Sequence, residues 1–256
     1  TQVVAGAINA NIMTKLDRDR DRKGIELPLG DSDALSAARG FAKSTVDGSL
    51  ILSAGMNPRL FAYIATLDEF QPDENGYIKK RLVLKVSDYR SALIQGKFLA
   101  KKGIWISEYR IESGLNCGGH AFATTGHLLG PILEEFKANK QELIDTIFQI
   151  YRPALAEKSK TAPEKPFPVK ISVQGGIGTA SEHEALFNHF DIDATGWGTP
   201  FLLVPEAINI DGPTLELLKK AEEKDLYVSH ISPLGVLFNT VKGNTKDLIK
   251  QQLIAK

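Results

Sequence analysis

The sequence predicts an α/β fold built around a parallel sheet. Short apolar runs alternate with longer segments of helical periodicity, which is the pattern of repeated β-α-β units. The apolar runs are continuous, as expected for parallel strands that are buried on both faces. Glycine-rich segments follow three of these runs, at the strand ends where parallel α/β proteins bind ligands.

Six strands and seven helices are predicted, in alternating order until the last strand. The predicted strands are Val3–Ile8, Ser49–Ser53, Arg81–Val86, Ile104–Tyr109, Lys170–Val173 and Asp193–Trp197. The predicted helices are Ser32–Lys43, Arg59–Leu67, Ser91–Lys101, Leu128–Tyr151, Ser181–Phe190, Thr214–Lys224 and Thr245–Ala255. Ser32 is a favourable N-cap and Gly103 a favourable helix stop. Pro153–Pro168 holds four prolines and is predicted to be a linker.

Composition and charge exclude several classes of protein. The chain has 256 residues, 43% of them hydrophobic, with 31 basic and 31 acidic side chains. A nucleic-acid-binding protein would carry a basic excess, so none is expected as a partner. The single cysteine excludes an all-cysteine zinc or iron–sulfur site within one chain, and no metal site is predicted. No apolar run reaches membrane-spanning length and no intact signal peptide is visible, which predicts a cytoplasmic protein that does not bind a membrane. The partner expected is a small-molecule substrate.

Two glycine-rich segments follow the fifth and sixth predicted strands. Gly175, Gly176 and Ile177 follow the fifth strand, and Gly198 and Thr199 follow the sixth. Glycine lets the backbone approach a ligand closely, and free amide groups then point at an anion. Two glycine-rich segments at consecutive strand ends predict a phosphate site. The alternative is that each segment is only a tight turn.

The third glycine-rich segment precedes a histidine. Gly119 and His120 follow the fourth predicted strand, with Cys117 just before them. The pKa of histidine lies near neutrality, so His120 is a candidate general acid or base, or else a structural loop residue. Cys117 is more typical of a small buried side chain than of a nucleophile.

Polar residues lie at or near the ends of the first three predicted strands. Lys85 interrupts an apolar strand, which is costly unless its ammonium reaches water or a negative charge. Asn9 and Asn11 follow the first predicted strand and could bind a ligand or cap a turn. Ser53 ends the second.

Several of these segments resemble the nitronate monooxygenase family, formerly called 2-nitropropane dioxygenases. Its relatives include FMN-dependent enoyl-acyl-carrier-protein reductases and the enoyl reductase of polyunsaturated fatty acid synthases. Glu112–His120 resembles the G-x-E-A-G-G-H segment, with Asn116 and Cys117 replacing its acidic residue and alanine. Gly175-Gly176-Ile177 resembles A-G-G-I, and Gly198-Thr199-Pro200-Phe201 resembles G-T-x-F.

The resemblance implies a TIM (β/α)8-type barrel, with residues 1–256 forming a single FMN-binding domain. Val3–Ile8 resembles the third strand of the family, so the first two strand–helix units would lie upstream of Thr1. A truncated chain, a completing segment or a second copy in a homo-oligomer would account for the missing strands.

The resemblance also implies an FMN-dependent oxidoreductase with His120 as general acid/base beside the flavin. The residues implied to bind FMN are Asn9, Asn11, Ser53, Lys85, Gly119, Gly175, Gly176, Ile177, Gly198 and Thr199. In nitronate chemistry His120 would take a proton from an acidic carbon, and in enoyl reduction it would supply one. Two further alternatives remain open at this point. One is a phosphometabolite isomerase or aldolase with Lys85 as Schiff base, and the other is a non-catalytic barrel fragment that serves as a binding partner.

Overall fold

The computed structural model describes residues 6–7, 9–12, 17–28, 30–53, 55–113, 128–177, 179–204, 206, 209–229 and 238–255, with only the backbone at 199–200 and 238–239. The strands are β1 (Ala10–Ile12), β2 (Gly48–Leu52), β3 (Lys80–Val86), β4 (Ile106–Ile111), β5 (Lys170–Gln174), β6 (Ala194–Gly196), β7 (Leu226–Ser229) and β8 (Phe238–Val241). The helices are α1 (Asp33–Lys43), α2 (Pro58–Ile64), α3 (Tyr89–Ala100), α4 (Leu129–Glu157), α5 (Ala180–Phe190), α6 (Gly212–Lys220) and α7 (Thr245–Ile254).

The predicted α/β class is confirmed by a six-stranded sheet with the order β1-β2-β3-β4-β5-β6. The strand pairs whose register is described, β1–β2, β2–β3, β3–β4 and β5–β6, all run parallel. Neighbouring strands that follow one another in sequence are the arrangement found in a TIM barrel. A closed barrel of eight strands, and a single domain over the whole chain, stay predictions.

The chain divides into two compact units. The first consists of Thr1–Ile111 and Glu135–Ile171, and the second of Glu112–Glu134 and Ser172–Lys256. None of the helices in the described ranges is long and apolar enough to cross a membrane.

The first unit is built on β2, β3 and β4, whose apolar side chains are almost completely buried. Its helices begin at well-formed caps: the Asn57 side chain accepts from the Leu60 amide at 3.0 Å, and Asp88 accepts from the Ser91 amide at 2.7 Å. Side chains with at most 1% exposure form the core, among them Leu50, Leu52, Leu60, Phe61, Ile64, Leu82, Leu84, Leu99, Leu143 and Leu155. This burial orders the strand ends that follow β2, β3 and β4.

The first described strand lies after the segment that the sequence predicts as a strand. Of the predicted strand Val3–Ile8, only residues 6 and 7 are described, and neither belongs to a strand; the rest of this prediction lies outside the described residues. The described strand β1 begins at Ala10, which pairs with Leu50, and ends at Ile12, which pairs with Leu52. Pairing with β2 selects this segment, and local apolar content does not report such a non-local choice.

The fourth helix continues past the point where the sequence predicts a linker. It runs to Glu157 with Pro153 inside it, so the first five residues of Pro153–Pro168 are helical. Proline removes one helical hydrogen bond, yet Tyr151 and Leu155 on either side are fully buried. The Tyr151 ring also packs against Trp105, with 5.2 Å between ring centroids. Burial of these side chains outweighs the local cost of proline.

The second unit has a smaller core. Its strands β5 and β6 bury Val173, and α5 contributes Leu186. A capping box formed by Thr179 and Glu182 begins α5. The C-terminal part adds α6, an antiparallel pair of strands β7 and β8, and α7. The two antiparallel strands were not predicted, because Leu226 and Val228 are exposed and the segment lacks a continuous buried run.

Two helix glycines allow a test of packing in the first unit. A Cβ at Gly96 in α3 would lie 2.6 Å from the Tyr109 hydroxyl oxygen and 2.7 Å from Ile147 Cδ1. Gly96→Ala should therefore lower the free energy of unfolding by about 1–3 kcal/mol through overpacking. A Cβ at the exposed Gly40 in α1 would meet no atom within 4 Å, so Gly40→Ala should raise it by about 0.5–1 kcal/mol. Denaturant unfolding of both variants measures this, and equal stability of the two would contradict the expectation.

Candidate functional site

The two glycine-rich turns that follow β5 and β6 lie side by side. Gln174 ends β5 and Gly196 ends β6, and these two residues are register partners in the parallel pair. The backbone amide of Gly175 donates to the Gly196 carbonyl at 3.4 Å. Parallel strands that end together present their following turns at the same edge of the sheet, where α/β proteins bind ligands.

The turn after β5 has a conformation that glycine permits. Gly175 has φ 83° and Gly176 has φ 73°, in the left-handed region where other residues are strained. Gly176 is exposed, and Ile177 is half-buried. No described residue accepts a hydrogen bond from the amide of Gly176 or of Ile177. Two consecutive amides from which no described residue accepts a hydrogen bond are suited to bind an anion.

The turn after β6 is also accessible. Gly198 is exposed, and its carbonyl accepts from the Phe201 amide at 3.1 Å. Thr199 begins a short 3-10 helix, Thr199–Leu203, of which the backbone alone is described at residue 199. Among the described residues, none accepts from the Gly198 amide.

A buried carboxylate lies next to these turns, and the sequence prediction missed it as a site residue. Glu112 directly follows β4 and is 4% exposed. The Gln174 side chain donates from Nε2 to Glu112 Oε2 at 2.6 Å. Its other oxygen, Oε1, is buried and has no hydrogen-bond partner within the described part of the chain. Glu112 and Gln174 are polar residues at the ends of apolar strands. This is the pattern by which the sequence analysis selected Lys85, and it could have identified them as well.

Gly196 leaves the space that the Gln174 side chain occupies. A Cβ at Gly196 would lie 3.0 Å from Gln174 Cβ, closer than such atoms normally approach. A side chain at position 196 would therefore displace the Gln174 side chain, which contacts Glu112, by a few tenths of an ångström. The sequence predicts Gly196 only as part of a glycine-rich turn, and the structure adds this steric role.

His183 connects α5 to β6. Its Nδ1 lies 3.0 Å from Thr195 Oγ1, and its ring packs against Phe187 with 4.8 Å between centroids. These contacts hold the helix that follows the β5 turn against the neighbouring strand. The role is structural, in keeping with the absence of any glycine-rich setting around His183.

Lys85 lies near the carboxyl end of β3, in the first unit. It is half-buried and is the register partner of Arg110 on β4. The Arg110 guanidinium donates to Glu108 Oε1 from Nε at 3.0 Å and from Nη2 at 2.8 Å. Across the described ranges, no residue is recorded as an ion-pair or hydrogen-bond partner of the Lys85 ammonium.

The remaining predicted site residues of the first unit lie in different positions. Ser53 follows β2, is 3% exposed, and donates from Oγ to the Ile12 carbonyl at 3.0 Å. Asn9 precedes β1, so it lies at the amino edge of the sheet, where its Oδ1 accepts from the Ser49 amide at 3.0 Å. Asn11 lies within β1 and is exposed. The structure therefore does not place Asn9 at the strand-end edge that Lys85 and Ser53 share.

His120, Gly119 and Cys117 lie outside the described residues. Within the described ranges, no group of three or more His, Cys, Asp or Glu side chains is arranged to hold a metal ion.

Comparison with known proteins gives a match of fold. No family model matches the sequence, and no curated protein matches it. Among solved structures, the chain is similar to the crystal structure of the enoyl reductase domain of MlnA, from the macrolactin biosynthesis cluster of Bacillus amyloliquefaciens. The TM-score is 0.59 at 16% sequence identity, and the match covers 93% of this chain and 51% of that chain. This chain thus has the fold of part of an enoyl reductase domain, and it spans about half the length of that structure.

Proposed function

We propose that this chain is part of an FMN-dependent oxidoreductase that reduces the carbon–carbon double bond of an enoyl compound. The fold shared with the enoyl reductase domain of MlnA supports enoyl reduction over the other oxidoreductase class that the sequence resembles. The observation that carries the proposal is the pair of consecutive amides at Gly176 and Ile177, from which no described residue accepts a hydrogen bond, beside the turn that follows β6.

The residues of these turns fit the phosphate of FMN. The left-handed conformation at Gly175 and Gly176 leaves the backbone open to close approach by an anion. The amides of Gly176 and Ile177 would hold the phosphate, with those of Gly198 and Thr199 as proposed additional donors. Such amide-to-phosphate contacts are charge-assisted hydrogen bonds, which are the stronger kind.

The protein's own contribution to the reaction is binding and proton supply. Bound FMN supplies the hydride-transfer chemistry that no side chain can perform. We propose Lys85 as a flavin-binding residue on the family resemblance, and no residue of the described chain forms an ion pair or hydrogen bond with its ammonium. His120 is proposed to donate the proton that completes saturation of the double bond. We propose Ser53 and Gly119 as neighbours of the ring.

Nitronate oxidation is the second candidate, favoured by the resemblance of Glu112–His120 and Gly175-Gly176-Ile177 to that family. The two activities use the same flavin but opposite proton movements at His120. In the first the histidine gives a proton to the product, and in the second it removes one from an acidic carbon.

The test uses the full-length protein and FMN. We expect FMN to bind in one-to-one ratio, seen as quenching of flavin fluorescence, and the loaded protein to convert an enoyl thioester to its saturated product with a nicotinamide reductant. Assaying a nitroalkane under the same conditions separates the two candidates. A protein that binds no added FMN would overturn the proposed function.

A further inference from the structure

Glu112 has unused capacity to accept hydrogen bonds. It is a carboxylate with 4% exposure, and within the described ranges the Gln174 amide is the one donor to it, at 2.6 Å. Among the described residues, Oε1 has no hydrogen-bond partner, and no Lys, Arg or His forms an ion pair with the carboxylate. An ionised carboxylate can accept about four hydrogen bonds, and leaving one buried without donors is costly. A ligand that supplies a further donor would relieve this cost.

The carboxylate lies close to the proposed phosphate site. Gln174, which contacts it, is joined directly to Gly175 and Gly176. From the 2.6 Å hydrogen bond to Gln174 and standard bond lengths, the Glu112 carboxylate lies within about 14 Å of the Gly176 amide. Two negative groups at this range repel each other, so Glu112 does not bind the phosphate itself. A neutral hydroxyl on the carbon chain next to the phosphate is the donor that fits.

Gln174 leaves one oxygen of the carboxylate for a ligand. The Gln174 side chain is half-buried, while Glu112 is almost wholly buried. Its amide donates to Oε2 of Glu112, and among the described residues none donates to Oε1. Oε1 is therefore the oxygen that remains for a ligand hydroxyl, while Gln174 holds the carboxylate through Oε2.

We propose that Glu112 and Gln174 form a hydroxyl-binding subsite for the polyol chain of a phosphate ester. The inference rests on the proposed function, because the phosphate would occupy the amides at Gly176 and Ile177. Glu112 accepts from the ligand hydroxyl, and Gln174 is a positioning residue that holds the carboxylate in the absence of ligand. The subsite selects a polyol phosphate over free phosphate.

The experiment compares three probes, FMN, ribose 5-phosphate and inorganic phosphate, by titration calorimetry on the full-length protein. Glu112→Met keeps the length of the side chain and removes both oxygens. It should lower the affinity for FMN and for ribose 5-phosphate by about 10- to 100-fold, because a hydrogen bond to a charged group contributes about that factor. Inorganic phosphate should bind more tightly, because a nearby negative charge is gone. Gln174→Met should lower the affinity for the two phosphate esters by a smaller factor and leave the affinity for inorganic phosphate unchanged.

Glu134→Met is the control, since it removes an exposed carboxylate of the same unit that pairs with His189. It should bind all three probes like the wild type. Glu112→Gln keeps one oxygen acceptor and should show an intermediate loss if Glu112→Met does not fold. Equal weakening of all three probes in the Glu112 variants would show a structural role and overturn the subsite.

Different results would overturn the proposed function and the hydroxyl-binding subsite. A wild-type protein that binds ribose 5-phosphate in a Glu112-dependent manner but not FMN would overturn the proposed function and keep the subsite. A wild-type protein that binds ribose 5-phosphate no more tightly than inorganic phosphate would overturn the subsite.

Discussion

Replacing Gly176 with valine is expected to abolish FMN binding at micromolar protein concentrations. A β-branched side chain is strained at φ 73°, and it would occupy the space through which a phosphate approaches the amides of Gly176 and Ile177. Loss of two charge-assisted hydrogen bonds, each worth about 1.5–3 kcal/mol, corresponds to a loss of about 10²–10⁴-fold in affinity. Quenching of flavin fluorescence measures the affinity directly.

Gly76→Val is the matched control for backbone strain. Gly76 has φ 78°, nearly the same as Gly176, and a Cβ there would meet no atom within 4 Å. Both variants should lose similar stability, about 1–2 kcal/mol, because both force an L residue into the left-handed region. Retention of FMN by Gly76→Val and its loss from Gly176→Val is the expected pair of results. Undiminished FMN binding by Gly176→Val would exclude the turn after β5 as the phosphate site.

Replacing His120 with alanine is expected to lower turnover by about 10²–10⁴-fold, the usual contribution of a positioned general acid or base. FMN binding should be nearly unchanged, because the phosphate is proposed to bind at a different segment. His120 lies outside the described residues, so this prediction rests on the Gly-Gly-His sequence and the family it resembles. Steady-state kinetics and flavin content of the purified variant separate the two effects.

His127→Ala is the control for this substitution, since it removes a histidine of the same segment that no glycine pair precedes. It should keep wild-type turnover. If His120→Ala turned over substrate at the wild-type rate, or if both variants lost activity equally, the proton-transfer role of His120 would be wrong.

Parallel strands and the turns at their carboxyl ends could be read from local sequence. Continuous apolar runs such as Arg81–Val86 mark strands buried on both faces, and β3 indeed covers this segment. The glycines after β5 could be recognised because a left-handed turn restricts which residues may occupy it, as the φ angles of Gly175 and Gly176 show. Both signals depend on a residue and its immediate neighbours in the chain.

Three features were decided only by tertiary structure. Strand β1 begins at Ala10 because its register with Leu50 on β2 is a non-local choice, and this choice leaves Asn9 at the amino edge of the sheet. Helix α4 passes through Pro153 because burial of Tyr151 and Leu155 exceeds the local cost of proline.

The third feature is the contact between Glu112 and Gln174, which are 62 positions apart in the chain. Nothing in the sequence near either residue reports it, because the hydrogen bond exists only once the ends of their two strands lie together. Local sequence thus determined the kind of fold and the presence of glycine-rich turns at the strand ends. The packing of distant segments decided which polar side chains accompany those turns.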